Sequence, residues 1–274
     1  VFDLGFPFEY QDENGTTLIM KVLKDNPEPE PDVVALLSHE KTVNLKDNYG
    51  LTACHYAAQK DDVIYLQILH SKGAKINERE NYQNTTPLMV ACCKSSNPAI
   101  IDFLVKNGAN INERCLNGND ALLYAAINPN PNNALYLIKE LKADIHTKDS
   151  EGRNILMEAI RAQSNDLVKT FIDLGVDVNE KDNYGYATIV YAAHYNPSIE
   201  ILDLLIKKGA DINYKNDKNA NLLMLAARNN CNEMIIDYFL NKGFNVNYVA
   251  SDGETPLLAA AQNGNLNVLK TLVQ

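Results

Sequence analysis

The chain has 274 residues, 46% of them hydrophobic, with 25 Lys and Arg against 35 Asp and Glu and a net charge of −10. That apolar share can build a core and excludes a disordered chain. The acidic balance argues against nucleic acid or an anionic membrane surface as the main partner, and no apolar run approaches the ~20 residues that span a bilayer. Cys54, Cys92, Cys93, Cys115 and Cys231 are odd in number and lack C-x-x-C spacing, the pattern of free thiols in a reducing compartment. The chain opens on Val1 rather than Met, which leaves preceding residues open.

A glycine-type residue ahead of a T-x-x-apolar pattern recurs at Gly15, Gly50, Asn84, Gly118, Gly152, Gly185, Asn219 and Gly253, in steps of 33 to 35. A second landmark, [A/V]-x-[I/V]-N, keeps the same period at 74–77, 109–112, 176–179 and 210–213, with variants at 143–146 and 244–247. Two landmarks with one period imply an array of stacked repeats.

In chain order, residues 10–46 form a diverged first repeat, with Pro27, Pro29 and Pro31 between its helices. Full repeats follow at 47–80, 81–114, 115–148, 149–181, 182–215 and 216–249. An incomplete repeat, 250–274, stops at the end of its second helix without an obvious polar cap. A longer parent protein, or something covering that end, is expected. Each repeat carries two apolar patterns of helical spacing, such as 87–92 and 99–105. Such helices are too short to be stable alone, so stacking must hold them.

Gly73, Gly108, Gly175, Gly209 and Gly243 follow the second helices, where a left-handed residue caps the last carbonyls. The fourth repeat has Lys142 there. A left-handed non-Gly residue costs about 1 kcal/mol, so a loosened or differently terminated helix end is expected. Then come an extended piece, such as 210–213, and a polar turn, such as 182–185.

The stretch Gly253-Glu254-Thr255-Pro256-Leu257-Leu258-Ala259-Ala260-Ala261 is similar to G-x-T-P-L-H-x-A-A. Thr85-Thr86-Pro87-Leu88-Met89 is similar to the same signature. Ile206-Lys207-Lys208-Gly209-Ala210-Asp211-Ile212-Asn213 is similar to L-L-x-x-G-A-D-V-N. On these motifs the chain resembles the ankyrin repeat family over residues 10–274. The resemblance implies an all-α solenoid of about eight helix-turn-helix repeats with short β-hairpin fingers, forming one array over 1–274. The histidine that ties adjacent repeats in the family survives only as His55. Its place is otherwise taken by Met20, Met89, Leu123, Met157, Val190, Met224 and Leu258, so packing replaces hydrogen bonding there. Met89, Met157 and Met224 are expected to be buried between repeats.

The residues do not assemble chemistry. Cys54 and His55 are helix neighbours pointing about 100° apart, so they cannot form a dyad. Cys92 faces the core and Cys93 the outside. His39, His55, His70, His146 and His194 lack metal spacing, the acidic residues are dispersed, and no phosphate-binding glycine loop is present. The expectation is no catalysis, no cofactor and no metal. The finger residues Asn77, Asn112, Asn179, Asn213 and Asn247 are read as closing turns. The resemblance offers hydroxylation of these asparagines as an alternative.

Register turns outward the two residues before each glycine position, the one after it, and the ninth and tenth after it. Asn128 and Ala220 belong to this set, which carries six Lys or Arg against four Asp or Glu. This face is therefore relatively basic, and the resemblance implies that its concave surface binds a protein. The candidate site is Arg153, Arg161, Tyr184, Tyr186, His194, Tyr195 and Arg228, with three exposed tyrosines among them. Tyr and Arg dominate interface hot spots. The alternative is that the tyrosines stack along the fingers as scaffold. The expected protein is a monomeric, non-catalytic interaction module with a protein partner, favouring an acidic segment, and no nucleic acid or membrane insertion. It would be cytoplasmic or nuclear, or host-delivered if it comes from an intracellular microbe. The other readings are a regulatory segment of a larger enzyme or channel, or a spacer array.

Overall fold

The computed structural model describes residues 9–196, 198–229 and 232–274; Cys231 lies outside them. Thr or an equivalent side chain starts most first helices by accepting a backbone N–H three residues on. Thr86 Oγ1 takes Met89 N–H, Asp120 Oδ1 takes Leu123, Asn154 Oδ1 takes Met157 and Asn221 Oδ1 takes Met224. The described residues form α1 (Leu18–Asp25), α2 (Pro31–Leu37), α3 (Ala53–Ala57), α4 (Ile64–Ser71), α5 (Pro87–Lys94), α6 (Pro98–Lys106), α7 (Ala121–Ala126) and α8 (Asn132–Lys139). They continue with α9 (Ile155–Arg161), α10 (Asn165–Asp173), α11 (Thr188–Tyr195), α12 (Ile199–Lys207), α13 (Leu222–Asn229), α14 (Glu233–Asn241), α15 (Pro256–Asn263) and α16 (Leu266–Val273).

The chain divides into two compact halves, Val1–Asp149 and Ser150–Gln274. Both show the same construction. In the first, α1, α3, α5 and α7 pack in sequence order and each meets its own second helix. In the second, α9, α11, α13 and α15 form one row, and α10, α12, α14 and α16 the other. The expected methionines are interior: Met89 is 1% exposed, Met157 0% and Met224 1%. Leu258 holds the same place in the last repeat and is 54% exposed.

His55 is fully buried. Its Nδ1 accepts the Thr52 N–H at 3.1 Å, so Nε2 carries the proton and donates to Thr85 O of the next repeat at 3.1 Å. The repeat-to-repeat tie implied by the resemblance is therefore present. In α11 the threonine comes one place late. Ala187 occupies the cap position without a side-chain bond, while the buried Thr188 hydroxyl has no partner.

All eight landmark residues of the period are left-handed, with φ between 58° at Asn84 and 82° at Gly185 and Gly253. Successive fingers are joined by a backbone hydrogen bond. Asn81 N–H donates to Tyr49 O at 2.9 Å and Leu116 N–H to Gln83 O at 2.8 Å in the first half; Asn183 N–H donates to Glu151 O at 2.8 Å in the second. At Gly50 a side chain would stand 2.7 Å from the Asn81 nitrogen, so this approach needs glycine.

The fingers differ from expectation in three details. Pairing is by single antiparallel bridges, as between Gln11 and Thr17, Lys181 and Ala187, and Lys215 and Asn221, with no longer ladder among the described residues. The 210–213 piece is a turn rather than an extended strand, because Asp211 Oδ1 takes the Asn213 N–H at 2.9 Å. Asn77 and Asn179 do not close their own turns. Their amides donate to Gly108 O and Gly209 O of the following repeat, each at 2.8 Å.

Lys142 is left-handed, with φ 56°. The helix before it is terminated differently, as expected. Ala143 N–H reaches back six residues to Leu137 O, whereas Ala109 N–H after Gly108 reaches back five to Leu104 O.

Candidate functional site

The site grows from one carboxylate in the second half. Asp182 Oδ1 accepts the N–H groups of Tyr184 at 2.8 Å and Tyr186 at 2.9 Å. Its Oδ2 accepts the Tyr191 hydroxyl at 2.5 Å. The finger turn is thus latched to α11, whose next turn presents His194 and Tyr195. Burial and the Asp182 bond push the Tyr191 hydroxyl well above its ordinary pKa, so it stays a donor.

Arg153, Arg161, Tyr184, Tyr186, His194 and Tyr195 line one pocket of about 260 Å³, with Glu151, Asp182, Val190, Tyr191 and Asn229 completing its wall. Six of the seven expected residues therefore converge. Arg228 does not join them: it pairs with Glu254 and lines a separate open cleft with Lys218 and Asp252. Tyr184 is 68% and Tyr195 47% exposed, while Tyr186 is half-buried, which makes two exposed tyrosines rather than three.

The arginines are already paired. Glu158, 5% exposed, receives Arg153 Nε at 2.8 Å and Arg161 Nη1 at 2.9 Å. Arg153 Nη1 also meets Glu151 Oε2 at 2.6 Å. The pocket wall holds two arginines and two carboxylates, Glu151 and Asp182, and Glu158 lies against both arginines. The basic excess expected from register is answered here by carboxylates, one of them buried beneath. Two residues expected outside are also inside. Asn128 is 5% exposed because its amide serves Cys92 O and Ser95 O, and Ala220 is 3% exposed in the turn closed by Asn216.

Rings meet along the wall: His194 and Tyr195 edge to face at 5.7 Å, Tyr186 and His194 at 6.4 Å, Tyr191 and Tyr195 at 6.1 Å. The Arg161 guanidinium carbon lies 5.9 Å from the Tyr195 ring centre. Burial, reinforced by the charge of Arg228, lowers the His194 pKa to about 4, so its ring is neutral at pH 7.

The first half supplies an internal control. Asp47 accepts Tyr49 N–H and Leu51 N–H, each at 2.9 Å, and the Tyr56 hydroxyl at 2.6 Å. This is the Asp182 latch again, in which Tyr191 is the counterpart of Tyr56 and the Tyr184 backbone that of Tyr49. Tyr49 also stacks on Tyr82 at 5.9 Å, as the scaffold alternative expects. Tyr186, His194 and Tyr195 are different: their counterparts are Leu51, Gln59 and Lys60. Sequence reasoning missed Asp182, Tyr191 and Glu158. The first two had a signal, an Asp three before the finger glycine and a Tyr six after it.

Burial raises the Cys54 pKa to about 12 and raises those of Cys92 and Cys93, which suppresses thiolate. Among the described residues, no three His, Cys, Asp or Glu side chains group as metal ligands, and no helix is long and apolar enough to cross a membrane.

The family model for ankyrin repeats (3 copies) matches residues 65–149, 132–216 and 189–274. An ankyrin repeat protein of Acanthamoeba polyphaga mimivirus, L371, is 29% identical over 170 residues, covering 60% of this chain and 21% of the relative. Fowlpox virus FPV031, another ankyrin repeat protein, is 28% identical over 185 residues, covering 64% and 54%. Alpha-latrocrustotoxin-Lt1a of Latrodectus tredecimguttatus is 30% identical over 129 residues, 47% of this chain and 9% of the toxin. The chain thus spans about a fifth of the first of these viral relatives and about half of the second.

Proposed function

Because the chain belongs to the ankyrin repeat family, we propose that it is a non-catalytic module that binds a partner protein at the pocket beside α11. Ankyrin repeats mediate protein–protein interaction, and the fingers and first helices are taken as the concave binding face. The observation that carries this reading is convergence: six side chains chosen from register line one pocket. The partner is taken to contribute an acidic segment, engaging Arg161, the more exposed of the two arginines at 38% against 18%. Arg228 contributes at most from the adjoining cleft.

The module acts as a monomer in a reducing compartment, cytoplasmic or nuclear. The viral relatives favour a host cell as its setting. The length of those relatives favours a second reading, in which the array regulates a larger protein. A pure spacer does not call for such a pocket.

The test compares proteins retained by the intact chain and by Tyr195→Ala and Arg161→Ala, identified by mass spectrometry. Tyr195→Ala should weaken the retained partner by about 2 kcal/mol or more, with the melting temperature unchanged and affinity falling as salt rises. Unchanged retention with a lower melting temperature would leave the pocket as scaffold.

A further inference from the structure

Resting on that reading, we infer that the pocket receives a single aromatic side chain projecting from the partner segment. Three observations point to a ring. The first is size. A dry cavity of about 150 Å³ holds benzene, whereas ligand sites for larger molecules begin near 300 Å³. At about 260 Å³ this half-open pocket has room for one ring side chain.

The second is the wall. Tyr186, His194 and Tyr195 already meet at tilted and edge-to-face angles of 58° and 75°, the arrangement into which a further ring packs. The third is charge. Arg153 pairs with Glu151 and with the buried Glu158, Arg161 pairs with Glu158, and Asp182 is taken up by the finger turn and the Tyr191 hydroxyl. A cation or anion inserted here competes with ion pairs already made, while a neutral ring does not. The acidic residues of the partner then belong at the rim beside Arg161, not in the pocket.

The internal control strengthens the assignment. The latch built on Asp47 repeats that of Asp182, yet Leu51, Gln59 and Lys60 replace the three wall residues. The wall is therefore not required by the finger.

The chain contains no tryptophan, so a tryptophan probe reports alone. The probe is the capped peptide Asp-Glu-Trp-Glu-Asp, titrated against the intact chain by fluorescence. Controls carry Ala, Lys or Glu at the centre and compete with it. The expected result is saturable binding with a shift of tryptophan emission, and at least about tenfold weaker competition by each control. The variant Tyr186→Leu, His194→Gln, Tyr195→Lys uses residues already tolerated at the Gly50 finger. It should keep the melting transition and lose about tenfold in affinity. Equal competition by all controls, or binding unaffected by the triple variant, overturns the ring assignment. If retention of the cellular partner still depends on Tyr195 in that case, the pocket stands as the binding site and only the ring is wrong. If that dependence is absent too, both fail.

Discussion

The Tyr191 hydroxyl and the Asp182 carboxylate, 2.5 Å apart, tie a finger turn to the helix that follows it. The pair spans nine residues and recurs at Tyr56 and Asp47. Tyr191→Phe keeps the ring and leaves Asp182 Oδ2 short of its donor. It should cost about 1–3 kcal/mol, the range for stranding one member of a buried hydrogen bond. Tyr56→Phe should cost a similar amount. Urea unfolding of both variants checks this, and a change below about 0.5 kcal/mol would show that the latch is not stabilising.

The interior methionines separate from their counterpart in the last repeat. Met157→Ala and Met224→Ala should each cost about 2–5 kcal/mol, from lost burial and the cavity left behind. Leu258→Ala, at a 54% exposed position, should stay within about 0.5 kcal/mol. Equal costs at all three would contradict the packing described.

How much of this was legible follows from what a period carries. A 34-residue repeat tells which side of a helix faces its neighbour, so Met157 was placed inside by register. It does not tell which charged groups meet across neighbouring turns. Glu158 occupies the place held by Tyr56 and Tyr191 in other repeats. Its encounter with Arg153 and Arg161 depends on side-chain reach, so the face looked more basic than it is. The piece at 210–213, read as extended, differs for a local reason: Asp211 captures the backbone two residues on.

The vacant cap of α11 is a repairable defect. Ala187→Thr restores the group that starts α1, α5 and α15, where Thr17, Thr86 and Thr255 accept the third backbone N–H. The gain should be about 1 kcal/mol, read as a rise in the urea midpoint. A fall would mean that the neighbourhood of Ala187 has no room for the side chain.

His194 makes stability depend on pH. Its pKa is about 4 when folded against an ordinary 6.5. Between those values the unfolded chain binds more protons, so stability falls as pH drops from about 6.5 towards 4. His55, also held below its ordinary value by burial, contributes in the same direction. His194→Gln should flatten part of this loss while leaving the remainder from His55. Melting temperatures of the wild type and variant across that range decide it, and parallel curves would exclude His194 as a contributor.

The doubled Asp–Tyr latch has a consequence for how such a chain changes. The backbone of a finger is held by Asp, Tyr and a left-handed residue, whereas the side chains of Tyr186, His194 and Tyr195, on which the proposed contact rests, take no part in the latch. Foldability and the proposed recognition are thus carried by separate letters of one short segment. A new specificity can be installed at one finger, or transplanted to another, without renegotiating the joint that keeps the segment in place.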